Sequence, residues 1–346
     1  MNLNLQPITP IPVTTTPRLA MIDGLQARIH ECLAPFVKDE PFALLDFPNI
    51  RNVGDSAIWL GEVAYFRKHI GRQPAYVSTG WTFSEASLKR HAPSGPIFIH
   101  GGGNFGDIWL GHQEFRERLL KRWPGRPIIQ FPQSIHFGNP GRADETARII
   151  GKHGNFTLLV RDEESKHFAE KRFDCRVILC PDMAFSIGPL EAAPPTIPLL
   201  AMLREDREKA GEHNLSAYPD VPVEDWITEP WLPIRISKLL GALGAAHTLD
   251  GALIRQGLFD AAANQRFGRG VRQLQRAQAI VTDRLHVHII SILLGRPHAV
   301  LDNSYGKIRR FMDAFSGGTD LVYRASSLPD AIQWANEAAG AAHPMK

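Results

Sequence analysis

Ala277-Gln278-Ala279-Ile280-Val281-Thr282-Asp283-Arg284-Leu285-His286, continuing VHIISILLGRPHAVLD to Asp302, is the stretch whose reading decides the fold. Ala277 to Val281 is an apolar run of strand length. After the polar break at Thr282-Asp283, Val287 to Leu294 is almost wholly apolar and reads as a buried helix. Gly295-Arg296-Pro297 ends it, and His298 to Leu301 reads as the next strand, which completes a strand–helix–strand unit of a parallel sheet. Thr282 or Asp283 is expected to cap the helix, because their side-chain oxygens accept its free N–H groups. Arg284 and His286 then fall in the first helical turn, at the carboxyl end of a parallel strand. Ligands bind there in open α/β sheets, and a helix N-terminus favours anions. A guanidinium and a titratable imidazole in that place make an anion site with a proton donor beside it. Arg284, at the mouth of a buried helix, needs an anionic partner.

The same rhythm extends in both directions. Residues 1–17 form a Pro- and Thr-rich arm, and Leu19 to Val37 reads as an amphipathic helix. Residues 41–182 then alternate strand and helix about six times, and Gly188 to Pro198 is a Pro-rich linker. The expected fold class is α/β: two doubly wound, Rossmann-like domains facing each other across a cleft, with an N-terminal arm and helix at 1–40, one domain at 41–187, a linker at 188–198 and the second domain at 199–346. Residues 214–231 look irregular, with Trp226 and Trp231 as anchors. A helix is expected at Pro233 to Leu243, and two shorter ones at Arg255 to Ala263 and Gly270 to Gln275.

Polar residues collect at the carboxyl ends of the expected strands. In the first half these are Asn52 and Asp55, with Asp55 or Ser56 as the cap of the next helix; the glycine turn Gly101-Gly102-Gly103 with Asn104; Gln133, Ser134 and His136; and Arg161, for which a capping salt bridge to Glu164 is an alternative role. In the second half they are Arg204, Arg284 and His286, and the loop from Asn303 to Lys307. The glycine turn carries neither the Gly-Lys-Ser/Thr of a phosphate loop nor the spaced dinucleotide fingerprint.

The chain has 346 residues, 44% hydrophobic, with a net charge of +3 and no basic stripe interleaved with aromatics. That balance suits an anionic small molecule or the face of an anionic membrane, and argues against nucleic acid as a partner. Cys32, Cys175 and Cys180 are too scattered for a disulfide scaffold or a metal site. No metal or cofactor is expected. No apolar run reaches the length of a membrane span, and no signal peptide is evident. The basic segment Lys307 to Arg310 is either a solvated face or a contact for anionic lipid.

Taken together, Asn52-Val53-Gly54-Asp55, His100-Gly101-Gly102-Gly103-Asn104, Pro132-Gln133-Ser134-Ile135, Arg161-Asp162, Pro181-Asp182, Arg204, Asp283-Arg284-Leu285-His286 and Asn303-Ser304-Tyr305 with Lys307 resemble the polysaccharide pyruvyl transferase family, from about residue 50 to 315. The first 40 residues and the region 211–276 carry none of it. The resemblance implies a GT-B-like fold and transfer of pyruvate from phosphoenolpyruvate onto two hydroxyls of a sugar in an exopolysaccharide or cell-wall precursor, giving a cyclic ketal and free phosphate. It implies that Arg204, Arg284, Leu285 and His286 form the phosphoenolpyruvate site, with Asn303 and Lys307 beside it. Asn52, Asp55, Gly102, Gly103, Asn104, Gln133 and Ser134 would face the acceptor, which in bacterial members is often a lipid-linked oligosaccharide at the cytoplasmic face of the membrane.

The residues fit that chemistry on physical grounds. Phosphoenolpyruvate carries two anionic groups, and each arginine can grip one bidentately. His286 is expected to protonate the methylene carbon, and His136 to act as base for a sugar hydroxyl. Two rival readings share the architecture: a glycosyltransferase using a nucleotide sugar, and a non-catalytic polysaccharide-assembly protein. A third takes the motifs as capping turns of an unrelated α/β fold.

Overall fold

The computed structural model describes residues 16–204, 215–226, 252–302 and 306–341, together with some positions between 232 and 243. Among the described residues seven strands form a first sheet: β1 (Ala43–Leu45), β2 (Tyr76–Ser78), β3 (Ile97–Ile99), β4 (Gly102–Gly106), β5 (Ile128–His136), β6 (Phe156–Val160) and β7 (Arg176–Leu179). Their order is β2-β1-β3-β5-β6-β7, with β4 paired to the far part of β5, and every pair is parallel. A second all-parallel sheet holds β8 (Ile197–Met202), β9 (Val223–Glu224), β10 (Ala277–Thr282), β11 (His298–Val300) and β12 (Val322–Arg324) in the order β12-β11-β10-β8-β9. Strands this apolar belong in parallel sheets covered on both faces.

Helices α1 (Pro17–Leu33), α2 (Val53–His69), α3 (Glu85–His91), α4 (Leu110–Arg122), α5 (Pro140–His153) and α6 (Glu163–Arg172) belong to the first half; α7 (Ala252–Gln275), α8 (Leu285–Leu294), α9 (Lys307–Phe311) and α10 (Leu328–Ala341) follow in the second. The fold class is α/β with Rossmann-like sheets, as the sequence implies. Both sheets have the same winding, because each begins with an inner strand, places the next beside it on one flank, and then reverses to build the other flank. The reversal lies between β1 and β3 in one sheet and between β8 and β10 in the other, and such switch points open a crevice at the strands' carboxyl ends.

One apolar core joins the two sheets. It runs from Ile22 through Trp59, Phe66 and Phe185 to Ile280, Ile290 and Phe311. Helix α2 lies at its centre and passes close to the short 3-10 turn Met183–Ile187; at the crossing is Gly61, where an added Cβ would sit 1.9 Å from the Met183 carbonyl oxygen. Helix α7 is a single element of 24 residues rather than two short ones. It comes from the second half of the chain but is tied to the first sheet. Trp59 Nε1 donates to Asp260 at 2.9 Å, Arg266 donates to Pro48 O and Asn49 Oδ1 at 3.1 and 2.6 Å, and Arg269 donates to Arg51 O at 2.8 Å. Phe47 and Phe259 stack with centroids 4.0 Å apart.

Three local expectations are corrected. Helix α2 is capped by Asn52, whose Oδ1 accepts from Gly54 N at 3.1 Å, and not by Asp55 or Ser56. Helix α8 begins after Arg284 with no side-chain cap. Thr282 and Asp283 stitch strands instead: Thr282 Oγ1 donates to Met202 O at 2.7 Å, and Asp283 Oδ1 accepts from Arg204 N at 2.8 Å. Glu164 pairs with Arg310 at 2.7 Å rather than with Arg161, and Arg309 pairs with Asp302, so both arginines of the basic segment have carboxylate partners. No described helix is long and apolar enough to cross a membrane.

Candidate active site

The two switch points face one cavity of about 360 Å³. Asn52, Asp55, His100, Gly103, Asn104, Trp109, His112 and Arg161 line it from the first half. Arg204, Trp226, Arg284, Leu285, His286 and Lys307 line it from the second. Arg204 follows β8 and Arg284 follows β10, its register neighbour, so the two guanidinium-bearing residues sit on adjacent strands at the switch point.

Arg284 is buried and has the partner that its position demands: Nη2 donates to Asp225 Oδ2 at 2.6 Å, and the guanidinium lies 5.9 Å from the Trp226 ring centroid. Both partners follow β9, inside a stretch that reads as irregular in sequence. His286 packs against the first turn of α2. A Cβ at Gly54 would lie 2.4 Å from His286 Nδ1, so only glycine leaves room for this ring. On its other side His286 Nε2 is 3.4 Å from Asp182 Oδ2, an ionic separation longer than an aligned hydrogen bond. Asp182 is 1% exposed and also receives Arg161 Nη1 at 2.6 Å and Ala184 N at 2.9 Å. Burial opposes its ionisation, but the His286 ring, the Arg161 guanidinium and the Ala184 N–H outweigh that and hold the carboxyl well below the usual carboxylate range. The ion sequence Arg161–Asp182–His286 therefore crosses from one half of the molecule to the other.

The glycine turn is a strand, β4, fixed by a buried polar network. Gln133 Oε1 accepts from Asn104 N at 3.0 Å and its Nε2 donates to Asn104 Oδ1 at 2.9 Å; Arg116 Nη2 donates to the same oxygen at 2.8 Å. Burial lowers the Arg116 pKa to about 10, still high enough to keep it charged at neutral pH. Gly103 lies between two cations: an added Cβ would be 3.2 Å from Arg161 Nη2 and 3.7 Å from Lys307 Nζ. Gln133 and Ser134 hold the wall from behind, Ser134 by accepting from Arg161 Nε at 3.0 Å.

His136 is the site residue that the structure moves away. Strand β5 runs on to residue 136 beside β4, and His136 falls next to Asp107 rather than among the residues lining the cavity. Asn303 lies outside the described residues. Two other histidines line the cavity instead: His100, which opens the glycine motif but is given no role in the sequence reading, and His112, which belongs to none of the motifs. His100 is 1% exposed; its Nδ1 is 3.0 Å from Glu62 Oε2, and its Nε2 has no hydrogen-bond partner among the described residues. Burial alone would push His100 down, but Glu62, Asp55 and Asp46 overcome it and raise its pKa. Burial also raises that of Glu62, so the two titrate as a coupled pair. His112, in the first turn of α4, places Nδ1 2.7 Å from Asp46 Oδ2 and leaves Nε2 for the cavity. Asp46 has φ 71°, a left-handed backbone that costs a non-glycine residue free energy and collects at functional sites. The signal in sequence was slight: a His one turn into a helix, and an Asp closing a strand.

The model of the polysaccharide pyruvyl transferase family matches residues 52–305. The chain belongs to this family. It is 32% identical to Pyruvyl transferase 1 of Schizosaccharomyces pombe over 86% of this chain and 76% of that protein. It is 31% identical to EpsO of Bacillus subtilis, a protein named as a candidate pyruvyl transferase, over 88% of this chain and 95% of that one. A solved structure of a functionally uncharacterised protein from Klebsiella pneumoniae superposes with a TM-score of 0.54 at 18% identity, covering 87% of this chain and 99% of the other, and so shares the fold. The chain is accordingly a transferase enzyme that acts in pyruvyl transfer onto polysaccharide.

Membership gives Gly54 a testable weight. Gly54→Ala is expected to leave the fold intact, since alanine favours a helix, yet to force His286 off its position. Pyruvyl transfer should drop by about 10²-fold, the scale on which a misplacement of 1 Å acts. Steady-state turnover beside a circular dichroism melt checks this, and unchanged turnover would show that the ring's seat is not critical.

Proposed function

We propose that this enzyme takes pyruvate from phosphoenolpyruvate and joins it to two hydroxyls of one sugar residue, closing a cyclic ketal and releasing phosphate. The observation that carries the reading is the convergence of Arg204, Arg284, Lys307 and His286 on one cavity from three separate places: the end of β8, the start of α8 and the start of α9. A substrate with a phosphate and a carboxylate needs such a set of cations. In this reading His286, which lies beside the Asp182 carboxylate, gives a proton to the methylene carbon. C2 then carries oxocarbenium character and bonds to the first sugar oxygen. His112 Nε2, oriented by Asp46, takes that hydroxyl's proton. The C2–O bond to phosphate breaks, and the second hydroxyl oxygen bonds to C2. Of the two hydroxyl protons, one replaces that spent by His286 on the new methyl group and the other leaves on phosphate, so atoms and charge balance. Asp55, which lines the cavity, is the group we assign to the acceptor's hydroxyls. The scheme calls for no metal or cofactor.

The acceptor we propose is a polysaccharide precursor carried on lipid at the cytoplasmic membrane face. It is tested by offering acceptors with and without the lipid and following phosphate release. A nucleotide sugar that raised the melting temperature where phosphoenolpyruvate did not would overturn the donor assignment. For His112→Ala we expect kcat to fall by about 10²-fold or more while phosphoenolpyruvate still protects against heat, because the residue serves the acceptor. Equal losses in turnover and in phosphoenolpyruvate protection would place His112 on the donor side instead.

A further inference from the structure

A second, smaller cavity of about 130 Å³ adjoins the first and shares His112 with it. Its floor includes Asp46 and Phe115, and Trp81, Glu114 and Arg118 form its sides. Trp81 is 90% exposed, the highest exposure among the large apolar side chains of the described residues. The turn that carries it is nevertheless braced. Thr79 and Thr82 hydroxyls are 2.8 Å apart, Thr82 N donates to Thr79 Oγ1 at 3.1 Å, and Arg118 Nη2 donates to Gly80 O at 3.3 Å. The benzo edge of Trp81 approaches Gly111, where an added Cβ would come 3.6 Å from the ring. Trp109 and Leu110, each 47% exposed, flank the same helix start. A single exposed aromatic needs no explanation, but an indole on a braced turn beside a cavity that shares His112 with the site does.

We propose that this cavity is a second acceptor subsite, which holds the sugar residue next to the one that receives pyruvate. The proposal rests on the pyruvyl-transfer reading and names its substrate more closely: a glycan of at least two residues rather than a monosaccharide. A sugar ring has an apolar face of C–H groups and an equatorial rim of hydroxyls. The Trp81 indole offers a flat surface to the first, while Glu114 and Arg118 offer a hydrogen-bond acceptor and donors to the second. His112 stands at the junction, so a ring seated on Trp81 would present its neighbour to the imidazole that takes the hydroxyl proton. It follows that glycosyl transfer must precede pyruvyl transfer: the enzyme that supplies this acceptor forms at least one glycosidic bond first.

The test uses full-length enzyme, with Trp81→Ala and Trp81→Phe as variants. The probes are methyl glycosides of galactose, glucose and mannose and the matching disaccharides. Binding is followed by titration calorimetry and turnover by phosphate release from phosphoenolpyruvate. Wild type should prefer a disaccharide to its monosaccharide. Trp81→Ala should lower that preference, in binding and in kcat/KM, by about five- to tenfold, the scale of one aromatic stack, and Trp81→Phe should restore part of it. The side chain is solvent-exposed, so both variants should fold; a melt confirms it. No preference in wild type, no binding of any disaccharide, or an unchanged preference in Trp81→Ala would each overturn the subsite. Disaccharide binding that depends on Trp81 without any phosphate release would leave the subsite standing and sink the reaction assignment instead.

Discussion

Replacing His286 by alanine is expected to lower phosphate release from phosphoenolpyruvate by about 10²–10⁴-fold, the range that a positioned general acid contributes. The donor should still bind, because Arg204, Arg284 and Lys307 remain, and so phosphoenolpyruvate should still raise the melting temperature of the variant. The loss should be in kcat more than in KM, since proton transfer to the methylene carbon is needed in the transition state and not for binding. Single-turnover measurements separate the two. The variant leaves Asp182 with Arg161 and the Ala184 N–H, so the buried carboxylate keeps two of its three supports and the fold should survive. Turnover within a few-fold of wild type would dismiss His286 as the acid and move attention to His100.

Gly61→Ala should have the largest effect on stability. The added Cβ would fall 1.9 Å from a backbone carbonyl oxygen, so no side chain can rotate out of its way and either α2 or the Met183–Ile187 turn must shift. Overpacking of this kind costs about 3 kcal/mol, or a drop of roughly 4 °C in melting temperature for a protein of this size. The same exchange at Gly24, inside α1 with nothing within 4 Å of the added atom, should be neutral or stabilise by about 0.5–1 kcal/mol through helix propensity alone. A pair of melts decides it. If both variants melt with wild type, the contact between α2 and the turn does not limit stability.

The parallel sheets were readable from sequence because their strands are apolar runs bounded by turn residues, and Phe156 to Val160 or Ala277 to Val281 cannot be mistaken for an exposed face. The long helix α7 was not. Residues 264–269, between the two expected helices, include Gly268 and lack a clear apolar period, whereas in the structure the helix runs through them and Gly270 allows close passage of Val53, whose Cγ1 would lie 2.4 Å from an added Cβ. Strand β4 was hidden for the related reason that a glycine run carries no side-chain periodicity. Arg284, His286 and Lys307 were legible because each stands where a strand or loop ends and a helix begins, and Arg204 because it follows an apolar strand. Their partners were not. Asp225 reaches Arg284 across 59 positions of sequence, and no local pattern encodes that pairing. His136 misled because a polar residue just past an apolar run looks like a strand terminus, while β5 continues through it. Asp46 and His112 are 66 positions apart and meet only because β1 and the start of α4 share one edge of the sheet.

The bracing of the first sheet by α7, which the chain contributes from beyond the connection at residues 188–196, has a mechanical meaning. A two-lobed transferase joined by a single strap can clamp shut like a jaw around its substrates. Here a second strut crosses the gap, and the hydrophobic interior passes through it uninterrupted. Rotation of one lobe about the strap would tear Trp59 from Asp260 and unstack Phe47 from Phe259. Capture must then rely on a mouth that stands open and on charges already in place, a geometry suited to admitting one segment of a long chain sideways while the rest of the polymer stays outside.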